Sequence, residues 1–197
     1  MQRDSKGKEK IIRITTELIR ESAGNISAIT TRAIAERAGI GVGLVNYHFQ
    51  TKENLITICV QRIINQVISG FASVNKTYCN DRERLTDWAV QVFDFLFEND
   101  SISRISILGD YGDYTEESNS ARSQKGFALA LQENRTTEEK NWIAFLLTSA
   151  LQTAFLGKKI IPGMLRLDMQ KTVDRHAFVE KLVAGLLDGF APSSPQS

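Results

Sequence analysis

Apolar residues recur at helical spacing along most of this 197-residue chain, and only three prolines interrupt the pattern. In residues 8–22 the apolar positions are three or four residues apart, which places them on one face of a helix. The same spacing predicts a long helix from Thr51 and further helices over 83–98, 138–156 and 174–190. No segment alternates strictly enough to predict a strand. The pattern therefore predicts an all-α fold.

The composition excludes several classes of protein. At 42% hydrophobic and 24% charged residues, the chain is typical of a globular protein. The first ten residues are charged, with no apolar segment after them, and no apolar run reaches the roughly 18 residues of a membrane helix. Cys59 and Cys79 form neither a CxxC pair nor a disulfide framework. We therefore expect a cytoplasmic protein without a membrane segment, cofactor or metal.

The net charge of +1 conceals an asymmetry along the chain. Residues 1–52 contain nine Lys or Arg against five Asp or Glu, whereas residues 53–197 contain fifteen against eighteen. A basic terminal segment favours contact with a polyanion at one end of the molecule. A solvated surface of mixed charge explains the same numbers equally well.

Residues 30–55 contain two short predicted helices, 31–38 and 42–49, that meet at Gly39. Thr30 can cap the first helix with its hydroxyl, and Gly39 can supply the positive φ that lets the chain leave this helix steeply. This arrangement is a helix-turn-helix, whose second helix would enter the major groove of DNA. An ordinary corner between two helices would show the same pattern. The small core behind the turn is predicted to consist of Ile34, Ile40 and Val45.

A specific set of residues runs through this segment in a fixed order: Thr30, Arg32, Ile34, Ala35, Ala38, Gly39, Gly43, His48, Phe49, Lys52 and Leu55. With the helix before it, the segment resembles the N-terminal region of the TetR family of transcriptional regulators. The family usually has a serine where Gly41 stands and a tyrosine where Asn46 stands. The rest of the chain is similar to the family only in size and helical texture.

The resemblance implies a three-helix DNA-binding head at residues 1–52 and a helical effector-binding and dimerisation body at residues 53–190. The Pro/Ser-rich residues 191–197 are expected to form a disordered tail. The resemblance further implies a homodimer that acts as a ligand-responsive repressor on a palindromic operator of double-stranded DNA. Its effector would be a small molecule that the sequence does not identify.

The resemblance also implies which residues contact DNA. Arg32 corresponds to an arginine that reaches a base edge or a phosphate, and Asn46 can either read adenine or bond a phosphate. His48 corresponds to a phosphate contact, with a core or capping role as the alternative; for Lys52 the alternative is a solvated lysine. The other phosphate contacts implied are Thr31 and Tyr47, and the base contacts implied are Val42, Gly43 and Leu44.

In the body, aromatic residues can line a ligand pocket or simply fill the core. The pocket candidates are Trp88, Phe93, Tyr111 and Phe127. The acidic residues Asp110, Asp113, Glu116 and Glu117 fit an exposed loop better than a site for a cation or a cationic effector. The predicted dimer interface, unless these residues face the subunit's own core, consists of Ala150, Thr153, Ala154, Phe178, Leu182 and Leu186.

The sequence offers little for an enzyme. It contains two histidines, no P-loop, no GxGxxG and no metal-ligand spacing, so no catalytic residues are predicted. Two other functions stay open. The body of a DNA-binding dimer could bind a protein partner instead of a small molecule, or the chain could bind DNA without sequence preference.

Overall fold

The computed structural model describes residues 2–72, 76–132 and 135–190, with side chains throughout these ranges except at 2–5, 66–72 and 162. The described residues form helices and no strand, so the prediction of an all-α fold is confirmed. The predicted tail at 191–197 lies outside them. The helices are α1 (Gln2–Glu21), α2 (Thr31–Ala38), α3 (Val42–Phe49), α4 (Lys52–Ala72), α5 (Asp81–Glu98), α6 (Asp100–Gly112), α7 (Asn119–Ala130), α8 (Thr137–Leu156), α9 (Ile161–Leu165) and α10 (Thr172–Gly189), with a 3₁₀ helix at Ile26–Ala28.

The chain divides into two compact units. The first unit contains α1 to α4 together with residues 99–109. It extends past the predicted head boundary at residue 52 because α4 packs along α1. Its core consists of fully buried apolar side chains, among them Ile11, Ile19, Ile34, Phe49, Leu55 and Ile102.

The second unit contains α5, the end of α6 from Asp110, and α7 to α10. In this unit α8 packs on α7, while α10 packs on α5 and α8. Helix α8 begins with a capping box, in which the Glu139 amide donates to the Thr136 hydroxyl at 3.1 Å and the Thr136 amide donates to the Glu139 carboxylate at 2.7 Å. The core of the unit includes Leu85, Phe93, Phe127, Ile143, Phe155 and Val179.

None of the helices that the structure describes combines the length and the apolar character needed to cross a membrane.

Candidate nucleic-acid interface

Two threonines cap the starts of α2 and α4. The hydroxyl of Thr30 accepts a hydrogen bond from the Ala33 amide at 3.0 Å, and the backbone of Thr30 is extended. The hydroxyl of Thr51 likewise accepts from the Asn54 amide at 3.1 Å, where α4 begins. A capping side chain satisfies one of the amides that a helix leaves without a partner in its first turn. The cap predicted at Thr30 is therefore present, and Thr51 caps the long helix predicted to begin there.

The turn between α2 and α3 depends on Gly39. This residue has φ 64° and ψ 40°, the left-handed conformation that glycine adopts without a Cβ penalty. Its amide donates to the carbonyls of Ala35 and Glu36, and the Ile40 amide donates to the Ala35 carbonyl at 3.0 Å. These bonds close the end of α2, as left-handed helix caps commonly do. The chain then enters α3 at Gly41, which supplies no side-chain cap.

The inner face of α3 packs into the first unit. Val45 is 2% exposed and Phe49 is 1% exposed, while Ile34 from α2 is completely buried. Ile40, predicted to join them, is half-buried. The side-chain amide of Asn54 donates to the carbonyl of Phe49 at 3.0 Å and so ties the end of α3 to the start of α4. Packing on one side of α3 thus determines which side chains it presents to solvent.

The outer face of α3 presents an apolar and polar surface to solvent. Tyr47 is 75% exposed. Its ring packs edge to face against the His48 ring, with ring centroids 5.2 Å apart. His48 itself is half-buried. The DNA major groove is wide enough to admit an α-helix, and the side chains on the exposed face of such a helix contact the bases. The other residues exposed on this face are Val42, Gly43, Leu44 and Asn46, all of which were predicted to contact DNA.

The remaining predicted DNA contacts lie at the starts of α2 and α4. Arg32 is exposed, and Thr31 is half-buried at the first position of α2. Lys52 is partly buried: its ammonium lies 3.4 Å from the carbonyl of Ile26 and 3.7 Å from the carboxylate of Glu53. Arg32 is thus available to a ligand in solution, whereas Lys52 already has polar neighbours within the first unit.

Two ion pairs between residues distant in sequence connect α1 to α2 and α4. Arg37 of α2 donates to both carboxylate oxygens of Glu21 in α1, at 2.6 and 2.7 Å. Arg62 of α4 forms an equivalent pair with Glu9 of α1, at 2.6 and 2.9 Å. Hydrogen bonds from Arg37 lower the pKa of the Glu21 carboxyl, so this pair is charged at neutral pH. Sequence reasoning missed both pairs, because their partners are 16 and 53 residues apart.

In the second unit, the four predicted pocket residues lie in different environments. Phe93 and Phe127 are buried, whereas Trp88 is 36% exposed and Tyr111 is 53% exposed. Phe93 packs against Phe97 and Phe178, with ring centroids 5.1 and 5.4 Å apart. A groove of about 560 Å³ lies along α5, and none of the four is among the described residues that line it. Those lining residues are Asn80, Arg82, Glu83, Thr86, Asp87, Val90 and His176.

A buried polar network joins the end of α6 to α7 and α8. One carboxylate oxygen of Asp110 accepts from the amide and the hydroxyl of Ser120, at 2.8 and 2.6 Å. The amide of Gln152 donates to the same hydroxyl at 2.7 Å, and Tyr111 donates to Gln152 at 3.4 Å. Asp110 is thus structural, while Asp113, Glu116 and Glu117 are exposed. Within the described residues, no cluster of three or more acidic, His or Cys side chains could hold a metal ion.

The six residues predicted for a dimer interface are divided between surface and core. Thr153 is exposed, while Ala154 is only 2% exposed and packs within its own chain. Large aromatic side chains that the prediction did not include, Trp142 and Phe145, are about half exposed on α8. The half-buried residues of the predicted set are Ala150, Phe178, Leu182 and Leu186.

Comparison with known proteins identifies a family model and a curated protein that this chain matches. Residues 11–57 match the family model described as bacterial regulatory proteins of the tetR family. The chain is 30% identical over 78 residues to the HTH-type transcriptional activator FasR of Mycolicibacterium smegmatis. That match covers 40% of this chain and 36% of the relative, so the chain spans about a third of the length of the curated relative that it matches.

Solved structures with the same fold come from Rhodococcus. A TetR transcriptional regulator from Rhodococcus sp. RHA1 superposes with a TM-score of 0.58 at 14% identity, over 97% of this chain and 100% of that one. A second transcriptional regulator from the same source gives a TM-score of 0.63 at 16% identity, over 95% and 99%. At these identities the structures establish a common fold.

Proposed function

We propose that this chain, whose residues 11–57 match the family model of bacterial regulatory proteins of the tetR family, belongs to that family and regulates transcription by binding operator DNA as a homodimer. The observation that supports this most strongly is the division of α3 into two faces. Val45 and Phe49 anchor one face in the core, while Tyr47 and Asn46 stand in solvent on the other. A helix held this way can enter a major groove without giving up any packing of its own unit.

The exposed groups on α3 and α2 suit distinct parts of a DNA site. Val42 and Leu44 present apolar surface at the start of α3, which can pack on thymine methyl groups. Asn46 can form a bidentate bond to adenine or a single bond to a phosphate, and Arg32 can bind a base edge or a phosphate. The phosphate contacts proposed beside them come from Thr31, Tyr47, His48 and Lys52, with Gly43 allowing close approach of the helix backbone.

The proposed dimer uses α8 and α10. An exposed stripe along α8 consists of Trp142, Phe145 and Thr153, which recur at helical spacing. Exposed apolar surface of this kind is typical of a protein–protein contact. On α10, Phe178, Leu182 and Leu186 are half-buried in the single chain and have surface left to contribute. In a dimer that binds DNA through both α3 helices, these helices would occupy successive major grooves, about 34–36 Å apart. The operator is therefore expected to be an inverted repeat.

The second unit is the proposed site of a small-molecule effector. Its core contains aromatic rings packed around Phe93, and the buried hydrogen-bonding groups of Ser120 and Gln152. An apolar environment with a few convergent polar groups is typical of small-molecule sites. Effector binding would change the separation of the two α3 helices and release the operator. A coupling free energy of about 1–3 kcal/mol, or roughly 5–150-fold in affinity, is the usual size of such an effect.

Selection of bound DNA from a random pool, with purified protein at near-physiological salt, tests the proposed DNA recognition. An enriched inverted repeat is expected. Binding that enriches no sequence and only fades as salt increases would contradict sequence-specific recognition and favour a DNA-binding protein without sequence preference. A pull-down with the full chain that yields a stoichiometric protein would instead favour a protein partner over a small molecule.

Repression is the proposed outcome of operator binding, and activation is the second candidate because the relative from M. smegmatis is named an activator. Transcription in vitro from a promoter that contains the selected repeat distinguishes the two. Repression predicts fewer transcripts as protein is added, and activation predicts more. Substituting Tyr47 by Ala, on the DNA-facing side of α3, should remove either effect.

A further inference from the structure

A set of lysines near the start of α1 is not accounted for by the helix-turn-helix. Lys6, Lys8 and Lys10 are all exposed. Two arginines of the basic N-terminal segment already have carboxylate partners, since Arg13 pairs with Glu17 at 2.9 Å and Arg37 pairs with Glu21. Lys6 and Lys10 form no ion pair with any side chain that the structure describes. The first ten residues contain four of the nine Lys and Arg residues of the segment, so its cations are most closely spaced at the beginning of α1.

The beginning of α1 lies next to the end of the helix that faces DNA. A Cβ placed on Gly7 would stand 3.9 Å from Nε2 of His48. The Lys8 ammonium lies 5.8 Å from the centre of the Phe49 ring, close enough for a cation–π contact. His48 and Phe49 form the last turn of α3, so the contacts at Gly7 and Lys8 place the backbone of this part of α1 beside that turn.

We propose that Lys6 and Lys10 bind the phosphate backbone beside the groove that α3 enters, as a contact that does not read sequence. This inference rests on the proposed function. The two lysines are one helical turn apart, so their side chains share a face of α1 and can reach neighbouring positions on one strand. An ammonium on a flexible stem binds phosphate as a point charge, which adds affinity and orientation without distinguishing bases. Lys8 is assigned to the Phe49 ring and not to this contact.

The double variant Lys6→Gln/Lys10→Gln tests the contact. Its binding is measured by fluorescence anisotropy on the selected inverted repeat and on a scrambled duplex of equal length, over a series of salt concentrations. Each phosphate contact contributes about 0.9 to the slope of log affinity against log salt, so the slope should fall by about 1.8 for each half-site. Affinity should fall by the same factor on both duplexes. Circular dichroism melting should be unchanged, because both side chains lie on the surface.

Two matched variants serve as controls. Lys6→Arg/Lys10→Arg keeps the charge and should bind like the natural chain. Lys125→Gln/Lys181→Gln removes two exposed lysines of the second unit and should leave the slope unchanged. An unchanged slope in the Gln variant of α1 would overturn the inference, as would a loss of affinity confined to the inverted repeat.

The natural chain separates failure of the inference from failure of the proposed function. If it binds neither duplex, the proposed function is wrong and the inference falls with it. If it binds both duplexes and the Lys6→Gln/Lys10→Gln variant binds them equally well with the same slope, only the inference is wrong.

Discussion

Trp142 and Phe145 meet edge to face on the surface of α8, with ring centroids 6.3 Å apart and ring planes at 82°. They are 49% and 50% exposed. They are three positions apart along the helix, so both rings stand on one face, and Thr153 continues that face toward the end of α8. Aromatic pairs in this geometry gain interaction energy beyond the area they bury. A second copy of the chain, packed on this face, would remove both rings from water.

Placing a carboxylate in this face should therefore dissociate the proposed dimer. Phe145→Asp is expected to weaken dimerisation at least about 30-fold, the equivalent of the roughly 2 kcal/mol typical of an interface hot spot. Sedimentation velocity over a series of protein concentrations measures the change. Leu129→Asp, at an apolar side chain of α7 that is 74% exposed, is the matched control and should remain dimeric. A Phe145→Asp variant that dimerises as well as the control would place the interface elsewhere.

Two glycines in the helix-turn-helix should respond to alanine in opposite directions. Gly39→Ala forces a Cβ into a left-handed conformation and should lower the free energy of unfolding by about 1–2 kcal/mol. Gly43→Ala lies within α3, where nothing stands within 4 Å of an added Cβ, and should raise it by about 0.5–1 kcal/mol. Urea denaturation of the two variants provides the comparison. Equal effects of the two substitutions would contradict a conformational role for Gly39.

The sequence predicted α2 and α3 to the residue because local groups determine their ends. Thr30 caps α2, Gly39 ends it, and both effects depend on neighbours within four positions. The five-residue helix α9 was not predicted, since it is too short for a periodic pattern and contains Pro162 and Gly163.

Features that depend on distant residues were harder to predict. Ala154 was predicted for a dimer interface from the family resemblance and its small side chain, but α8 is apolar on several sides and Ala154 packs within its own chain. The exposure of Trp142 could not be predicted for the same reason, because an apolar residue at helical spacing can face either the core or a partner. The pairing of Arg37 with Glu21 requires knowing that α1 and α2 are neighbours. Such contacts follow from tertiary packing and carry no local signal.

Lys52 should bind phosphate when DNA is present, although it has a partner without it. Its bond to the Ile26 carbonyl is 3.4 Å long, beyond the usual range for a strong hydrogen bond, so exchanging it for a phosphate costs little. Lys52→Ala is expected to weaken binding to all sequences and to lower the salt slope by about one for each half-site. Salt titrations of binding measure this. A lower melting temperature with an unchanged slope would instead assign Lys52 to holding the 3₁₀ helix against α4.

The two cysteines should differ sharply in reactivity. Burial raises the pKa of the Cys59 thiol to about 11, and its sulfur lies 3.5 Å from the carbonyl of Ile12. Because the thiolate is the nucleophile, Cys59 should be unreactive in the folded protein at neutral pH, while the exposed Cys79 should react. A disulfide reagent should therefore titrate one thiol per folded chain, two in denaturant, and none in folded Cys79→Ser.

Since the folded pKa is raised, Cys59 favours the folded state below the ordinary thiol pKa, and this contribution is lost as the pH rises from about 9 to about 11. Cys59→Ala should flatten that alkaline loss of stability, and an equal loss in both proteins would show that other groups cause it.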